Sequence, residues 1–526
     1  MGFAAKLRKI GTAGARGRFA VLFFVFAGVS ACSQRGPEIP ITAKPAGSVT
    51  LTIGLPVQTG QDPLHGAIQA SRLISREGLT LPNRTGRMQP RLAESWQESP
   101  DGLTWRFKLR SNAFFHDGSR VDAKAVKSSL ERSLATSDIV QYPGLGDIVS
   151  IEATSDLEVL IRLGARSSFL LDDLGVSILK VPPSGPAVGA GAYVLESTSE
   201  NELTMRAFAR YYRGAPRIDR IVWKAYPTVR TAWAAMMRGE IDFLYEVGQD
   251  TREFIQGENS VAIFPFLRNY VYAITLNSRK EQFRDWRVRR ALNYSINRAA
   301  IVETGFKGHA KPESGSAWPE HWAYDAAVPI YGHEPQRAAA LLDAAGVPPP
   351  RSRSAGDGPP SRIRFTCILP EGFPLWEKIG LLAQRDFSAI GVDMKLETVS
   401  VPEFNTRIGS GNFDAVLSEF VVGNSPSRPF TFWYSKSKLN MWGYNNDGVD
   451  AALLGLRRAA NEAEYRDSFR NFQLQMLDDP PAVFLALGET ARAVSKRFRV
   501  VAPIGSDILP TIADWQLGDD PLRTAN

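Results

Sequence analysis

Apolar and polar positions alternate along SVTLTIGL, Ser48 to Leu55, which predicts a first strand. They alternate again in TWRFKLR, where Trp105, Phe107 and Leu109 interleave with Arg106, Lys108 and Arg110. A side-chain period of two puts the apolar set on one face, so this segment reads as a half-buried strand entered through the Asp101–Gly102 turn. The period becomes helical in PTVRTAWAAMMRGEIDFLYEV. Thr228 is placed to cap, Ala232, Trp233 and Met236 are apolar, and Gly239 stops the helix before a strand IDFLYEV. In DWRVRRALNYSINRAAIV, Val288, Leu292, Ile296 and Ala299 share a helical face with Asp285 as cap. Arg289, Arg290, Asn293 and Asn297 fall outside that face and read as solvated. EPQRAAALLDAAG predicts a short helix with Pro335 in its first turn and Gly346 at its end. IRFTCILP and KLETVS are strand-like around a helix near LLAQRDFSAIG. Before them, VPPPRSRSAGDGPPSR is a loop with no core-forming residues beyond its ends. No short fixed-period repeat appears, and the body reads as mixed α/β with more than one domain.

The N-terminal pattern is of another kind. Residues 1–31 carry Lys6, Arg8, Lys9, Arg16 and Arg18 and no acid, then run apolar from Phe19 to Ala27. A basic stretch before a short apolar run predicts a secretory signal peptide, too short to span a bilayer. Its Val-Ser-Ala-Cys end resembles the lipobox of bacterial lipoproteins, which implies that Cys32 becomes a lipidated N-terminus after cleavage. Each buried CH₂ of an acyl chain is worth roughly 0.8 kcal/mol, and two or three chains hold a soluble domain on a membrane where one is marginal. The plainer alternative is an ordinary signal peptide cut near Ala31. Residues 33–47 (SQRGPEIPITAKPAG) then read as a tether. Without the leader, 57 basic residues face 55 acidic ones, so the basic balance of the full chain is no nucleic-acid footprint. Cys367 is left as the only other cysteine, which removes any intramolecular disulfide from the mature chain.

Motifs for chemistry are missing. No G-x-x-x-x-G-K-[ST] occurs, so the chain does not hydrolyse ATP. His65, His116, His309, His321 and His333 are scattered, HEPQ lacks the second histidine of H-E-x-x-H, and there is no C-x-x-C. RIGSGN is not G-x-S-x-G, and GAGAY lacks the third glycine of a dinucleotide loop. The sequence therefore predicts no catalytic residue, no metal site and no cofactor.

Several stretches, in order, resemble the family 5 extracellular solute-binding proteins, the oligopeptide, dipeptide and nickel receptors of ABC importers. They are RLAESWQESPDGLTWRFKLRSNAFFHDGSRVDAKAVKSSLER, GAGAYVLES, YYRGAPRIDRIVWKAYP, LNSRKEQFRDWRVRRALNYSINRAAIV, HEPQRAAALLDAAG, GNFDAVLSEF and WGYNNDGVDAAL, and together they cover nearly all of residues 48–500. The resemblance implies an α/β, two-lobed periplasmic-binding-protein fold with a hinge and an additional subdomain on the first lobe. The implied division is a signal peptide at 1–31, a tether at 32–47, and lobe one at 48–82 and 188–274. The additional subdomain takes 83–187, lobe two 275–484, and a return to lobe one 485–526. It also implies a monomer on the periplasmic or outer side of a bacterial membrane, held by its lipid and serving permease and ATPase subunits. Closure of the lobes on a ligand is a hinge motion.

The resemblance also points to the ligand region, VVGNSPSRPFTFWYSKSKLNMWGYNNDG. Peptide-binding relatives carry an Asp-Pro-Asp-like turn here, whose carboxylate pairs with the ligand ammonium, whereas this chain has Ser425-Pro426-Ser427. A buried ammonium without a counter-charge costs several kcal/mol, so another acid, with Glu419 as a candidate, has to substitute or the cargo lacks a free amine. Asn424 and Ser425 on the turn, with Trp433, Trp442 and Tyr444 as aromatic walls, are the candidate ligand-binding residues. Interior packing is the alternative for the aromatics; Asp62-Pro63-Leu64-His65 matches a family loop by the cleft, with plain turn geometry as its alternative. The expected cargo is a peptide or peptide-like solute. The alternatives are a non-peptide solute (a sugar conjugate, an opine-like molecule or a metal chelate), an envelope hydrolase, and a structural lipoprotein.

Overall fold

The computed structural model describes residues 48–57, 62–136, 138–248, 252, 258–349 and 361–518. Cys32, the signal segment, the whole of the tether and residues 350–360 of the predicted loop lie outside that range.

β1 (Thr50–Pro56) opens the chain with its apolar face fully covered. A hairpin of β2 (Thr80–Pro82) and β3 (Met88–Pro90) follows. Next come β4 (Ala93–Glu98), β5 (Thr104–Leu109), β6 (Ile148–Ser155) and β7 (Glu158–Leu163), an antiparallel sheet in the order β4-β5-β7-β6. Trp105, Phe107 and Leu109 point into its core with Phe115, Val126 and Ile161, as their alternation predicted. The chain returns through β8 (Tyr193–Thr198), β9 (Glu202–Ala207) and β10 (Arg220–Tyr226). A helix over Val229–Met237 leads to the two-residue strand β11 (Phe243–Leu244). Thr228 caps that helix in a reciprocal box with Thr231, a device worth about 1 kcal/mol.

Two long strands, β12 (Val261–Leu276) and β17 (Ala482–Ser495), run antiparallel through the centre of the main sheet. On one side lie β11, β1, β10, β9 and β8. On the other lie β16 (Ala415–Val421), β14 (Ile363–Pro370) and β15 (Val392–Val399); short β13 (Ala310–Pro312) pairs with β17. β12 and β17 thus belong to both halves, and the register between them slips from Leu267 to Val271, where the halves meet. Each half has its own core. Leu51, Ile53, Trp223 and Trp515 centre the first, while the sheet of the second is covered on both faces. Among the described residues no helix is long and apolar enough to cross a membrane.

Three local expectations change. IDFLYEV supplies only Phe243–Leu244 as strand. The helix after Asp285 spans Trp286–Ser295, because Ile296 is extended and Asn297 begins a new turn by accepting from the Ala300 amide at 2.9 Å. Arg289 and Asn293 are buried rather than solvated. The Arg289 guanidinium reaches the carbonyls of Arg284 and Pro480 and the carboxylate of Asp479, and Asn293 donates to the Ala482 carbonyl at 3.0 Å. These polar groups are sheltered because they satisfy the backbone that leads into β17.

Candidate functional site

β14 and β16 are parallel and end at Pro370 and Val421; β1 and β11 are parallel and end at Pro56 and Leu244. The loops past the carboxyl ends of such strands are where open α/β sheets bind ligands. Here both sets of loops face the gap between the halves, and three groups of residues occupy it.

The first group is the tip of the β2–β3 hairpin, Asn83 to Arg87, which docks on the second lobe. Asn83 O accepts from Asn424 Nδ2 at 3.1 Å, Arg84 O from Trp318 Nε1 at 2.9 Å, and Thr85 O from the Trp322 amide at 2.9 Å. Arg84 pairs bidentately with Glu320, and Arg87 pairs with Glu462 while lying 4.0 Å over the Trp322 ring. Gly86 has φ +79°, and a Cβ there would stand 2.5 Å from Asn424 O and 2.4 Å from the His321 ring. Only glycine fits that approach. His321 itself stacks 4.8 Å from Phe469, and its burial, then Arg87 and Arg466, push its pKa down to about 3, so the ring is neutral.

The second group surrounds the Ser425 turn. Ser425 Oγ donates to Asp172 Oδ2 at 2.6 Å, across the gap from the additional subdomain. Asp173, beside it, accepts from the Gly144 amide at 2.6 Å. Arg428 donates to Gln141 O at 2.7 Å and lies over the Tyr142 ring, and Arg457 and Arg458 both pair with the buried Asp147. Burial pushes the Asp172 carboxyl up to about 8; the Ser425 hydrogen bond and Arg428 pull against the rise and Asp173 adds to it. Burial likewise lifts Asp173 to about 7, opposed by Arg428, the Gly144 amide and Arg457. A small gap remains beside this turn, between Trp318, His321, Gly423, Ser425 and Phe469.

The third group lies where the long strands cross. Arg268 on β12 folds back over the Tyr270 ring at 4.7 Å and meets Glu419 of β16 with two hydrogen bonds of 3.1 and 3.0 Å. Burial disfavours the Arg268 charge, but Glu419, Tyr272, Tyr270 and Glu246 outweigh it and raise its pKa. From the first lobe, Arg492 stacks 3.8 Å over Tyr245 and pairs with Asp507.

Of the sequence candidates, Asn424 and Ser425 face the gap, and both are engaged with the opposite side. Trp433, Trp442 and Tyr444 are 0%, 0% and 2% exposed in the core of the second lobe. Trp433 packs on Phe420, Tyr444 and Phe484, and Trp442 on Phe413 and Phe420, which is the packing alternative rather than the cleft wall. Trp433 ends the helix Ser427–Trp433, and Trp433 and Trp442 both pack on Phe420 of β16. Cys32 lies outside the described residues. Asp62 accepts from the Leu64 amide, a turn role, and His309 is held by Arg252 and Glu489. The pattern missed Asp172, Arg268 and the hairpin tip. A usable signal was the acidic pair in SSFLLDDLG, two carboxylates inside an apolar run.

A family model described as bacterial extracellular solute-binding proteins, family 5 Middle, matches residues 87–441. The glutathione-binding protein GsiB of Pectobacterium atrosepticum is 24% identical over 470 residues, covering 84% of this chain and 88% of that one. NikZ from Campylobacter jejuni, solved in complex with Ni(L-His), matches with a TM-score of 0.75 at 22% identity, over 89% of this chain and 99% of that one. The ABC transporter-associated periplasmic binding protein DppA from Helicobacter pylori, solved with the peptide STSA, matches with a TM-score of 0.75 at 20% identity, over 89% and 98%. The fold is thus that of two-lobed periplasmic binding proteins. A family match over more than half the sequence settles the kinship: the chain belongs to the bacterial extracellular solute-binding proteins, family 5.

Proposed function

We propose that this chain captures a peptide or peptide-like solute between its lobes and delivers it to the permease and ATPase subunits of an ABC importer, without altering it. The observation that carries the reading is the polar layer between the lobes, set at the carboxyl ends of parallel strands and met from the opposite side by Asp172 and Asn83. That arrangement forms only when the lobes approach, so loading and shape are coupled through the long strands β12 and β17. Glutathione and the peptide STSA, bound by the relatives above, are peptide-like solutes. Nickel chelate binding by NikZ keeps a non-peptide cargo as the second reading. Asn424 and Ser425 join lobe closure to the ligand region, and the chain acts as a monomer outside the cytoplasm, tethered through lipid on Cys32. The proposed division is lobe one at 48–82, 188–274 and 485–526, its subdomain at 83–187, and lobe two at 275–484.

The test is to express residues 33–526, purify them natively and identify by mass spectrometry what leaves on denaturation. A set of short peptides or one peptide-like molecule is expected. A single defined non-peptide would replace the first reading by the second. Turnover of the released molecule by the protein would contradict both.

A further inference from the structure

We propose that the Arg268–Glu419 pair recognises a compact zwitterionic head, an ammonium and a carboxylate on one carbon, by exchanging partners with it. The proposal rests on the reading that the gap between the lobes holds the solute, and it names the chemistry of that solute.

Four observations carry it. Arg268 lies on β12 beyond the last strand pair with β16, Tyr270 with Val421, whereas Glu419 stands within the paired stretch, opposite Tyr272. Arg268 therefore reaches Glu419 diagonally, by folding over Tyr270, rather than as a directly opposed neighbour. β12 and β16 are already joined by seven paired positions from Tyr270 to Leu276, so the ion pair is not what holds them together. The side chains keep 32% and 20% of their exposure, so solvent, and hence a solute, reaches both.

A fork-shaped guanidinium meets a carboxylate in two parallel hydrogen bonds, and a ligand carboxylate satisfies the same geometry. Glu419, released by Arg268, then accepts an ammonium. Exchange of one pair for two leaves no charge unpaired only if the ligand brings both charges close together. A linear peptide, whose ends lie apart, would supply one charge and strand the other, at the cost of an uncompensated charge. The remaining charged neighbours are already matched or stand in solvent: Arg492 is held by Asp507, and Glu246 is exposed. Glu419 thus supplies the counter-charge that Ser425 lacks.

The experiment is a titration of residues 33–526, stripped of bound solute by denaturation and refolding, with γ-glutamyl dipeptides and ε-N-acyl-lysines. These probes keep the head and vary the tail. Each is compared with its N-acetyl and methyl-ester forms and with linear dialanine, by calorimetry and thermal shift. Head-bearing probes are expected to bind, and blocking either head group to weaken binding at least tenfold. Glu419→Gln should lose discrimination against the N-acetyl form while keeping it against the ester. The exchanged pair R268E/E419R, with its folding checked by circular dichroism, should lose binding without losing its thermal transition. Equal binding of blocked probes or of dialanine, or no binding by any head-bearing probe, would overturn the proposal. Closure on some other solute in that same experiment would leave the receptor reading standing.

Discussion

Asp172 shows most directly how one side chain ties shape to solution conditions. Its carboxyl is held above the ordinary carboxylate range by burial, and Asp173 adds to the rise. A group whose pKa is raised in the folded, closed form takes up a proton on closing. Its contribution is therefore present in full below the ordinary carboxylate range and is lost as pH rises through about 8. The groups facing it are Asp173, Arg428 and Tyr465, with Arg457 beyond. Melting temperature is accordingly predicted to fall between pH 5 and pH 9, and Asp172→Asn to flatten that fall; an unchanged slope would contradict the assignment. Gly86→Ala places a methyl against a backbone oxygen in a left-handed conformation. A loss of roughly 1–2 kcal/mol in urea unfolding is expected, from left-handed strain alone. Trp433→Ala is expected to cost about 3–5 kcal/mol, as truncation of a core tryptophan does, so its loss of binding should track loss of fold. Such aromatics were ambiguous in the sequence because core and cleft both favour them. The acidic pair holding Asp172 was legible, but its contact with Ser425 was not, because the two lie 253 residues apart.

At the scale of elements, the β2–β3 hairpin behaves as a latch. Its tip offers three backbone carbonyls and two arginines to the opposite lobe. Exposed ion pairs contribute about 0–1 kcal/mol each and weaken with salt, so the pairs to Glu320 and Glu462 tune the latch while the carbonyl contacts position it. The double variant R84A/R87A should raise amide hydrogen exchange in residues 318–322 and around Ser425 and leave the β14–β15 core protected. Uniform deprotection would mean that the arginines support the fold as a whole. Strands and capped helices were legible where period and caps agreed, as in Thr104–Leu109 and after Thr228. The helix after Asp285 was overextended because Asn297, read as a surface residue, instead caps a new turn.

The whole molecule joins these scales through β12 and β17, the only two strands that pair in both halves of the main sheet among the described residues. The apolar pattern alone gave a mixed α/β body of more than one domain; the two-lobed plan came from the resemblance of the ordered stretches to family 5 receptors. Contacts across the gap stayed hidden, since they join residues that no local pattern links. The central claim is that a solute captured between the lobes holds them together, and a distance across the gap reads it directly. Fluorophores on Lys124→Cys in the subdomain and Lys378→Cys in the second lobe serve in residues 33–526. Cys367, 0% exposed and with its thiol pKa raised by burial, stays unlabelled. Single-molecule energy transfer should show a longer distance for protein stripped of its solute, and a return to the shorter one when the recovered solute is added. One unchanged distance in both states would contradict the account.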